Sequence, residues 1–180
     1  IVTIVYGSAR ALRTPHLKRR LAFSTVSNLS YILFALTLMT PAGLTGALTH
    51  MVYHAVIKIT LFACAGAILV KCGRQYVYEL EGMGSRMPVV FAAFTVSSLA
   101  LIGMPPLGGF DGKWMIAYAA VDTGIPLAYL GIAALILSTL LTTLYLMTVI
   151  VRAYYPVGEL DTETLSRIHD PGKRMTVPRV

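Results

Sequence analysis

Long apolar runs with almost no charge constrain this chain more than any other feature. Residues 21–40 and 127–151 contain no charged side chain. The hydrocarbon core of a bilayer is crossed by a helix of about 20 apolar residues. Hydrophobic residues make up 56% of the sequence and charged residues 13%, whereas about 25% of a soluble domain is charged. The runs therefore predict a membrane protein and argue against a soluble enzyme or a disordered chain.

The apolar runs predict an all-α, polytopic transmembrane bundle. Residues 1–155 hold about five spans plus a partial one at the start, and a short turn at 41–45 separates the first two full spans. Only helices satisfy every backbone group within hydrocarbon here, since the alternating segments of a β-barrel are absent. Residues 156–180 are predicted to form a polar tail or a loop toward a further helix. Because the chain starts at Ile1 inside an apolar stretch, we expect it to be a fragment of a longer protein.

The charges outside the apolar runs are mostly basic. The first 20 residues carry five positive charges and no negative one, and such segments beside apolar runs set topology and contact anionic lipid headgroups more often than nucleic acid. The positive-inside rule predicts that this segment and the 71–86 loop are cytoplasmic. The number of predicted membrane crossings, however, would place the mixed-charge tail on the outside. Cys64 and Cys72 form neither a disulfide framework nor a metal motif. We expect no metal, no cofactor and no nucleic-acid partner.

The strongest functional pattern is His50-x-x-x-His54-x-x-x-Lys58. Steps of four place the three side chains on one face of a helix that is otherwise apolar. A lysine at the centre of a bilayer costs about 2.5–3.5 kcal/mol on insertion scales, so it is retained mainly where it faces protein or water. Histidine titrates near neutral pH, and such a row passes protons if water bridges its members. The alternative is a set of buried polar groups that only hold helices together.

The second pattern is a run of prolines and glycines just before a lysine and an aspartate. Two prolines and two glycines cannot continue a regular helix, and a broken helix at membrane depth must be buried in protein or line a cavity. Transporter ion sites are often built on such breaks. The alternative is a surface loop with Lys113 and Trp114 as interfacial anchors. The residues concerned are Pro105, Pro106, Gly108, Gly109, Asp111 and Lys113.

The third pattern begins at Lys18 and continues through polar residues in the first turns of the next span. Ser24, Ser27 and Asn28 are unusually polar for such a position, and they could hold water beside Lys18. The alternative is a basic residue that extends its charge toward the headgroups. Tyr31 shows no comparable pattern and is interpreted as an interface or packing residue.

Together these patterns resemble one family. In this order, the sequence at 17–28, 50–61 and 103–114 is similar to the antiporter-like subunits of respiratory complex I, of membrane-bound hydrogenases and of Mrp-type Na+/H+ antiporters (subunits A and D). The resemblance covers residues 10–155. It implies a fold of roughly fourteen helices in two inverted five-helix repeats, each with a broken helix. This chain would be the second repeat with its flanks.

The resemblance also implies roles for individual residues. Lys18 corresponds to the lysine at the junction of the two halves, and Lys113 to the terminal lysine after the broken helix. His50, His54 and Lys58 correspond to the central row of a hydrated path across the middle of the membrane. The chain departs from the family at His16, where aspartate is frequent, and at Asn28, where glutamine or histidine is frequent. Lys113 argues against the complex I subunit that carries glutamate there, and the PPLGGF-x-x-K-W form is nearer the Mrp-D and hydrogenase types.

The resulting hypothesis is a multi-pass subunit of the cell (inner) membrane that passes protons along this path and performs no bond chemistry itself. Redox chemistry or cation exchange would drive it within an NADH:quinone oxidoreductase-type, hydrogenase-type or antiporter complex. Its partners would be other membrane subunits, the bilayer and protons, with Na+ as an open alternative. Two rivals remain: a structural membrane scaffold and an enzyme subunit that binds quinone, for which no quinone pocket is evident.

Overall fold

The computed structural model describes residues 1–155, and this part of the chain is almost entirely helical. Short connections join the helices, and no strand occurs within the described range. The predicted tail at 156–180 lies outside the described residues. The α-helices are α1 (Val2–Arg13), α2 (Leu17–Thr37), α3 (Pro41–Cys72), α4 (Met83–Arg86), α5 (Pro88–Ile102), α6 (Gly108–Asp122) and α7 (Pro126–Tyr154), with a 3₁₀ helix at Val77–Leu80 between α3 and α4.

Helix α3 is longer than the apolar pattern predicts. The sequence suggested a turn at 41–45, but the helix begins at Pro41, because Thr40 caps it by accepting a hydrogen bond from the Gly43 amide at 3.0 Å. Proline suits the first helical position, where its missing N–H costs no hydrogen bond. The helix ends at Cys72, since Gly73 adopts the left-handed conformation with φ 67°. The result is one 32-residue helix that carries all three members of the histidine–lysine pattern.

The predicted break between the next two helices is present. Helix α5 ends at Ile102, where Gly103 has φ 92°, and α6 begins at Gly108, so that the two prolines lie in the connection. Each of the two helices has 15 residues, fewer than the roughly 20 that cross a bilayer alone. The prediction of a broken helix is therefore confirmed.

The bundle has an apolar outside and a partly polar inside. Leu33, Ile59 and Leu130 are between 59% and 70% exposed, while Lys58 and Lys113 are each 6% exposed. In water this distribution would be unfavourable, but a bilayer solvates the apolar faces and excludes the charges. Two described helices, α3 and α7, meet both the length and the hydropathy expected of a membrane span.

Helix α6 packs closely against both α3 and α5 because two glycines face them. A Cβ on Gly112 would lie 2.7 Å from the His50 Cα, and one on Gly109 would overlap the Ala100 carbonyl of α5. Glycine therefore fixes how near α6 can approach its two neighbours. This contact brings the beginning of α6 beside the polar face of α3.

The two basic connections meet at one end of the bundle. The Leu17 amide donates to the Gln75 carbonyl at 2.9 Å, and the Val77 amide donates to the Pro15 carbonyl at 2.9 Å. The Glu79 carboxylate accepts from the amides of Tyr76 and Gln75, and these two hydrogen bonds lower the pKa of Glu79 below its usual value. Two helices, α2 and α3, lie between the two connections. A chain that crosses the membrane twice between them places both connections on the same side.

Candidate functional site

Helix α3 places His50, His54 and Lys58 on one buried face. Their exposed fractions are 2%, 5% and 6%, so all three are removed from the outer surface of the bundle. The two imidazole rings are 6.0 Å apart between centroids. The spacing of one helical turn seen in the sequence is thus retained in the interior, where it forms a row along the helix axis.

Lys58 is held by α2. Its Nζ donates to the Leu21 carbonyl at 2.9 Å and also to the Ser24 hydroxyl. Both acceptors are neutral oxygens from the polar first turns of α2. The sequence pattern at 24–28 therefore provides one partner for Lys58 on the neighbouring helix, namely Ser24.

The same face of α2 continues from Ser24 to Asn28, which contacts His50 of α3. The Asn28 amide group donates to the Ser24 carbonyl at 2.8 Å. The Asn28 Oδ1 accepts from His50 Nε2 at 3.3 Å, which assigns the imidazole N–H to that nitrogen. Ser24 and Asn28 of α2 thus connect Lys58, at one end of the α3 row, to His50 at the other end.

Lys113 lies at the broken helix, and its ammonium is held by the end of α5. Nζ donates to the carbonyls of Leu101 and Ile102, each at 2.9 Å, and to Thr139 Oγ1 of α7 at 3.3 Å. The last carbonyls of a helix have no partner within it and carry the negative end of the helix dipole. Because α5 stops inside the bundle, these carbonyls receive the lysine of the next helix.

Tyr31 connects the lysine to the α3 row, although its sequence context indicated only a packing residue. Its ring centroid is 5.7 Å from that of His50, and Lys113 Nζ lies 5.8 Å from the same centroid, within the range of a cation–π contact. The signal that could have identified it is its position three residues after Asn28, which places it on the same face of α2.

A cluster of buried hydroxyls adjoins Tyr31, and the sequence singled out Ser27 of this cluster but not its partners Ser8 and Ser138. Tyr31 donates to Ser138 of α7, and Ser27 lies 2.9 Å from both Ser8 of α1 and Ser138. Ser8 and Ser138 are also hydrogen-bonded to each other. Isolated serines in apolar runs carry no periodic signal, so only the packing of α1, α2 and α7 brings them together.

Several predicted residues lie apart from this row. Lys18 is half-buried at the beginning of α2 and makes no hydrogen bond or ion pair within residues 1–155. Asp111 is exposed in the first turn of α6, where a carboxylate interacts favourably with the helix dipole. Pro105 and Pro106 are exposed in the connection. Ser27 belongs to the hydroxyl cluster and makes no hydrogen bond to the α3 row.

No carboxylate in the described part of the chain forms an ion pair with the row. Within residues 1–155 the one ion pair joins Arg152 to Glu81 at 3.8 Å. Removing a single ion from water costs several kcal/mol, and neutral oxygens only partly offset that cost. Both ring nitrogens of His54 are buried and make no hydrogen bond to the described residues. No group of three metal-ligating side chains occurs in the same range.

Comparison with protein families and relatives agrees with this architecture. The family model described as "NADH:quinone oxidoreductase/Mrp antiporter, TM" matches residues 1–142. NADH-quinone oxidoreductase subunit N of Desulforudis audaxviator (strain MP104C) is 36% identical over 151 residues, which cover 84% of this chain and 30% of that protein. NADH-quinone oxidoreductase subunit L of Rickettsia felis is 32% identical over 179 residues, covering 99% of this chain and 27% of that protein. The chain thus spans less than a third of the length of these relatives.

Solved structures share the fold. A chain of the Mrp complex from Dietzia sp. DQ12-45-1b is similar with a TM-score of 0.80 and 32% identity, over 87% of this chain and 28% of that one. A chain of the respiratory complex I from Thermus thermophilus with bound NADH matches with a TM-score of 0.79 and 24% identity, over 87% of this chain and 33% of that one. The second likeness shows a common fold.

Proposed function

Because the chain belongs to the NADH:quinone oxidoreductase/Mrp antiporter transmembrane family, we propose that it forms part of a proton-translocating membrane subunit. Protons would pass between Lys58 and Lys113 by way of His54, His50 and Tyr31. The driving force would come from redox chemistry or cation exchange elsewhere in a multisubunit complex. The chain itself would make and break no covalent bonds apart from those to the transferred protons.

The observation that carries this proposal is the pair of buried amines joined by a polar row. Lys58 and Lys113 are each held by neutral oxygens, and no carboxylate of the described residues is paired with either. A lysine that served only to hold helices together would be expected to gain most from a buried carboxylate partner. Neutral partners instead allow the amine to keep hydrogen bonds in both its charged and its uncharged form.

The geometry suggests how a proton moves between the two amines. His50 donates through Nε2 to Asn28, and its Nδ1 and both nitrogens of His54 are buried without a partner among the described residues. Buried polar atoms of this kind are the positions at which ordered water bridges side chains. Water at His54 would link Lys58 to the imidazoles, and Tyr31 lies between His50 and Lys113.

Charge repulsion provides the coupling. Two ammonium groups in a low-dielectric interior disfavour each other much more than they would in water. A proton that arrives at Lys113 would therefore promote release of a proton from Lys58. For transfer in the other direction, a proton that arrives at Lys58 would promote release of a proton from Lys113. A change of charge at one end of the subunit would in this way be passed along the row.

The experiment is neutral replacement of each lysine by methionine in the full-length protein within its complex. Methionine keeps most of the length and apolar volume, so that Lys58→Met and Lys113→Met remove the charge and its hydrogen bonds. The matched control is Lys71→Met, which removes an exposed lysine from the last turn of the same helix α3. Proton transport is measured by fluorescence quenching in inverted vesicles, and assembly by native gel electrophoresis.

We expect both interior variants to assemble and to lose at least tenfold in transport rate, while the control retains the rate of the wild type. Full-rate transport by the assembled Lys58→Met and Lys113→Met variants would refute the proposal. Failure of both to assemble would instead support the scaffold alternative, which rests on the hydrogen bonds from Lys58 to α2 and from Lys113 to α5. Measuring the same rates with and without Na+ distinguishes proton transport from the Na+-carrying alternative.

A further inference from the structure

A groove on the outer surface, between the end of α1 and the beginning of α2, combines basic and apolar walls. It has a volume of about 620 Å³. Three arginines line it together with a short apolar surface on α2. The lining residues are Arg10, Arg13, Thr14, Pro15, Arg19, Ala22, Phe23 and Val26. We propose that this groove binds one anionic phospholipid, with the phosphate at the arginines and an acyl chain along α2.

The charge of the groove is not balanced by this part of the chain. Arg10, Arg13 and Arg19 are exposed, and the sequence contains no aspartate or glutamate before Glu79. None of the three forms an ion pair within residues 1–155, where the one ion pair joins Arg152 to Glu81. Guanidinium groups bind phosphate oxygens through paired hydrogen bonds. A phosphate is therefore the group that matches the basic end.

The apolar end of the groove fits a hydrocarbon chain rather than an isolated ion. Ala22 and Val26 are exposed one turn apart on α2, and Phe23 lies beside them. The Arg10 guanidinium lies 5.5 Å from the centroid of the Phe23 ring, so the basic and apolar walls are in direct contact. Free phosphate would use only the arginines, whereas a phospholipid would use both walls.

The position of the groove agrees with a lipid in the bilayer. The arginines lie at the adjoining ends of two helices, and the apolar wall continues from them into α2. Basic sites between transmembrane helices near the membrane surface bind anionic headgroups. The neighbouring Arg20, in contrast, is buried and donates to the carbonyls of Thr14 and Tyr145. It therefore stabilises the bundle and leaves the exposed arginines for an external ligand.

The experiment uses the full-length protein within its complex, reconstituted in nanodiscs of equal parts phosphatidylglycerol and phosphatidylcholine. Native mass spectrometry measures how many molecules of each lipid remain bound to the wild type and to Arg13→Gln/Arg19→Gln. The matched control is Lys71→Gln/Arg86→Gln, which removes the same charge from the other basic connection. Each basic residue near an anionic headgroup contributes about fivefold to binding, so we expect the double variant to bind phosphatidylglycerol about thirtyfold more weakly.

A second pair of measurements keeps the test independent of folding. Arg13→Lys/Arg19→Lys retains the charge, and we expect it to recover part of the phosphatidylglycerol binding. A photo-cross-linking residue at Val26 reports what lies against the apolar wall, and we expect it to capture lipid. Equal phosphatidylglycerol retention by the wild type and the glutamine variant, equal loss in the control, or capture of a protein segment at Val26 would each overturn the proposal.

Discussion

Replacement of Gly112 by alanine tests whether the contact between α3 and α6 fixes the geometry of the proton row. A Cβ at this position would lie 2.7 Å from the His50 Cα and 2.8 Å from its Cβ, whereas ordinary contacts lie between 3.4 and 4 Å. The His50 Cα belongs to the backbone of α3 and the Cβ is bonded directly to it, so neither atom can turn away. The two helices must therefore separate by about 0.7 Å at this point, as judged from the same contacts.

The expected cost can be separated from the general effect of adding a methyl group to a helix. A Cβ on Gly66 of α3 would have no described atom within 4 Å apart from its chain neighbours and the backbone of its own helix, so this position provides the control. Alanine is favoured over glycine inside a helix by about 1 kcal/mol in both variants. Overpacking a close contact costs about 1–3 kcal/mol. We therefore expect Gly112→Ala to be about 1–3 kcal/mol less stable than Gly66→Ala.

Two assays check this prediction on the full-length protein. Equilibrium unfolding in mixed detergent micelles, followed by circular dichroism, gives the difference in free energy between the two variants. Proton transport in inverted vesicles gives the functional effect, because Gly112 precedes Lys113 and contacts His50 directly. A displacement near 1 Å can cost about a hundredfold where a reaction depends on positioned groups, and we expect at least a tenfold loss. Equal stability and equal transport in the two variants would refute the idea that this contact sets the row.

Three other contacts lead to further predictions. Tyr31→Phe removes the hydroxyl donated to Ser138; we expect a loss of about 0.5–1.5 kcal/mol in the same unfolding assay, and an unchanged stability would contradict the hydrogen bond. Arg20→Met removes the donor from one buried and two partly buried backbone carbonyls, so the free energy of unfolding should fall by about 1–3 kcal/mol, whereas the Arg86→Met control should change little. Glu79→Gln should accelerate hydrogen exchange of the adjacent loop amides at neutral pH. Because hydrogen bonds lower the Glu79 pKa, that protection is present above the ordinary carboxyl pKa and is lost as pH falls through the folded value, so the difference from wild type should vanish in acid.

The sequence was sufficient to predict the membrane class and the position of the main row. Apolar runs of span length leave few alternatives to transmembrane helices, and the family assignment agrees with that prediction. The spacing of His50, His54 and Lys58 directly predicts a common face, since the helical period is fixed by the backbone. The proline and glycine residues before Lys113 likewise predict a broken helix, because they act through local backbone geometry.

Only the tertiary structure decided which groups meet that row. Tyr31 lies between His50 and Lys113 because α2, α3 and α6 pack together, and the carbonyls that hold Lys113 belong to the preceding helix α5. Lys18 and Asp111 are charged in the sequence as well, yet they lie outside this buried row. A local pattern specifies the direction of a side chain relative to its own helix. How helices approach one another depends on contacts such as that of Gly112 with His50, between residues distant in the chain, and no local periodicity encodes them.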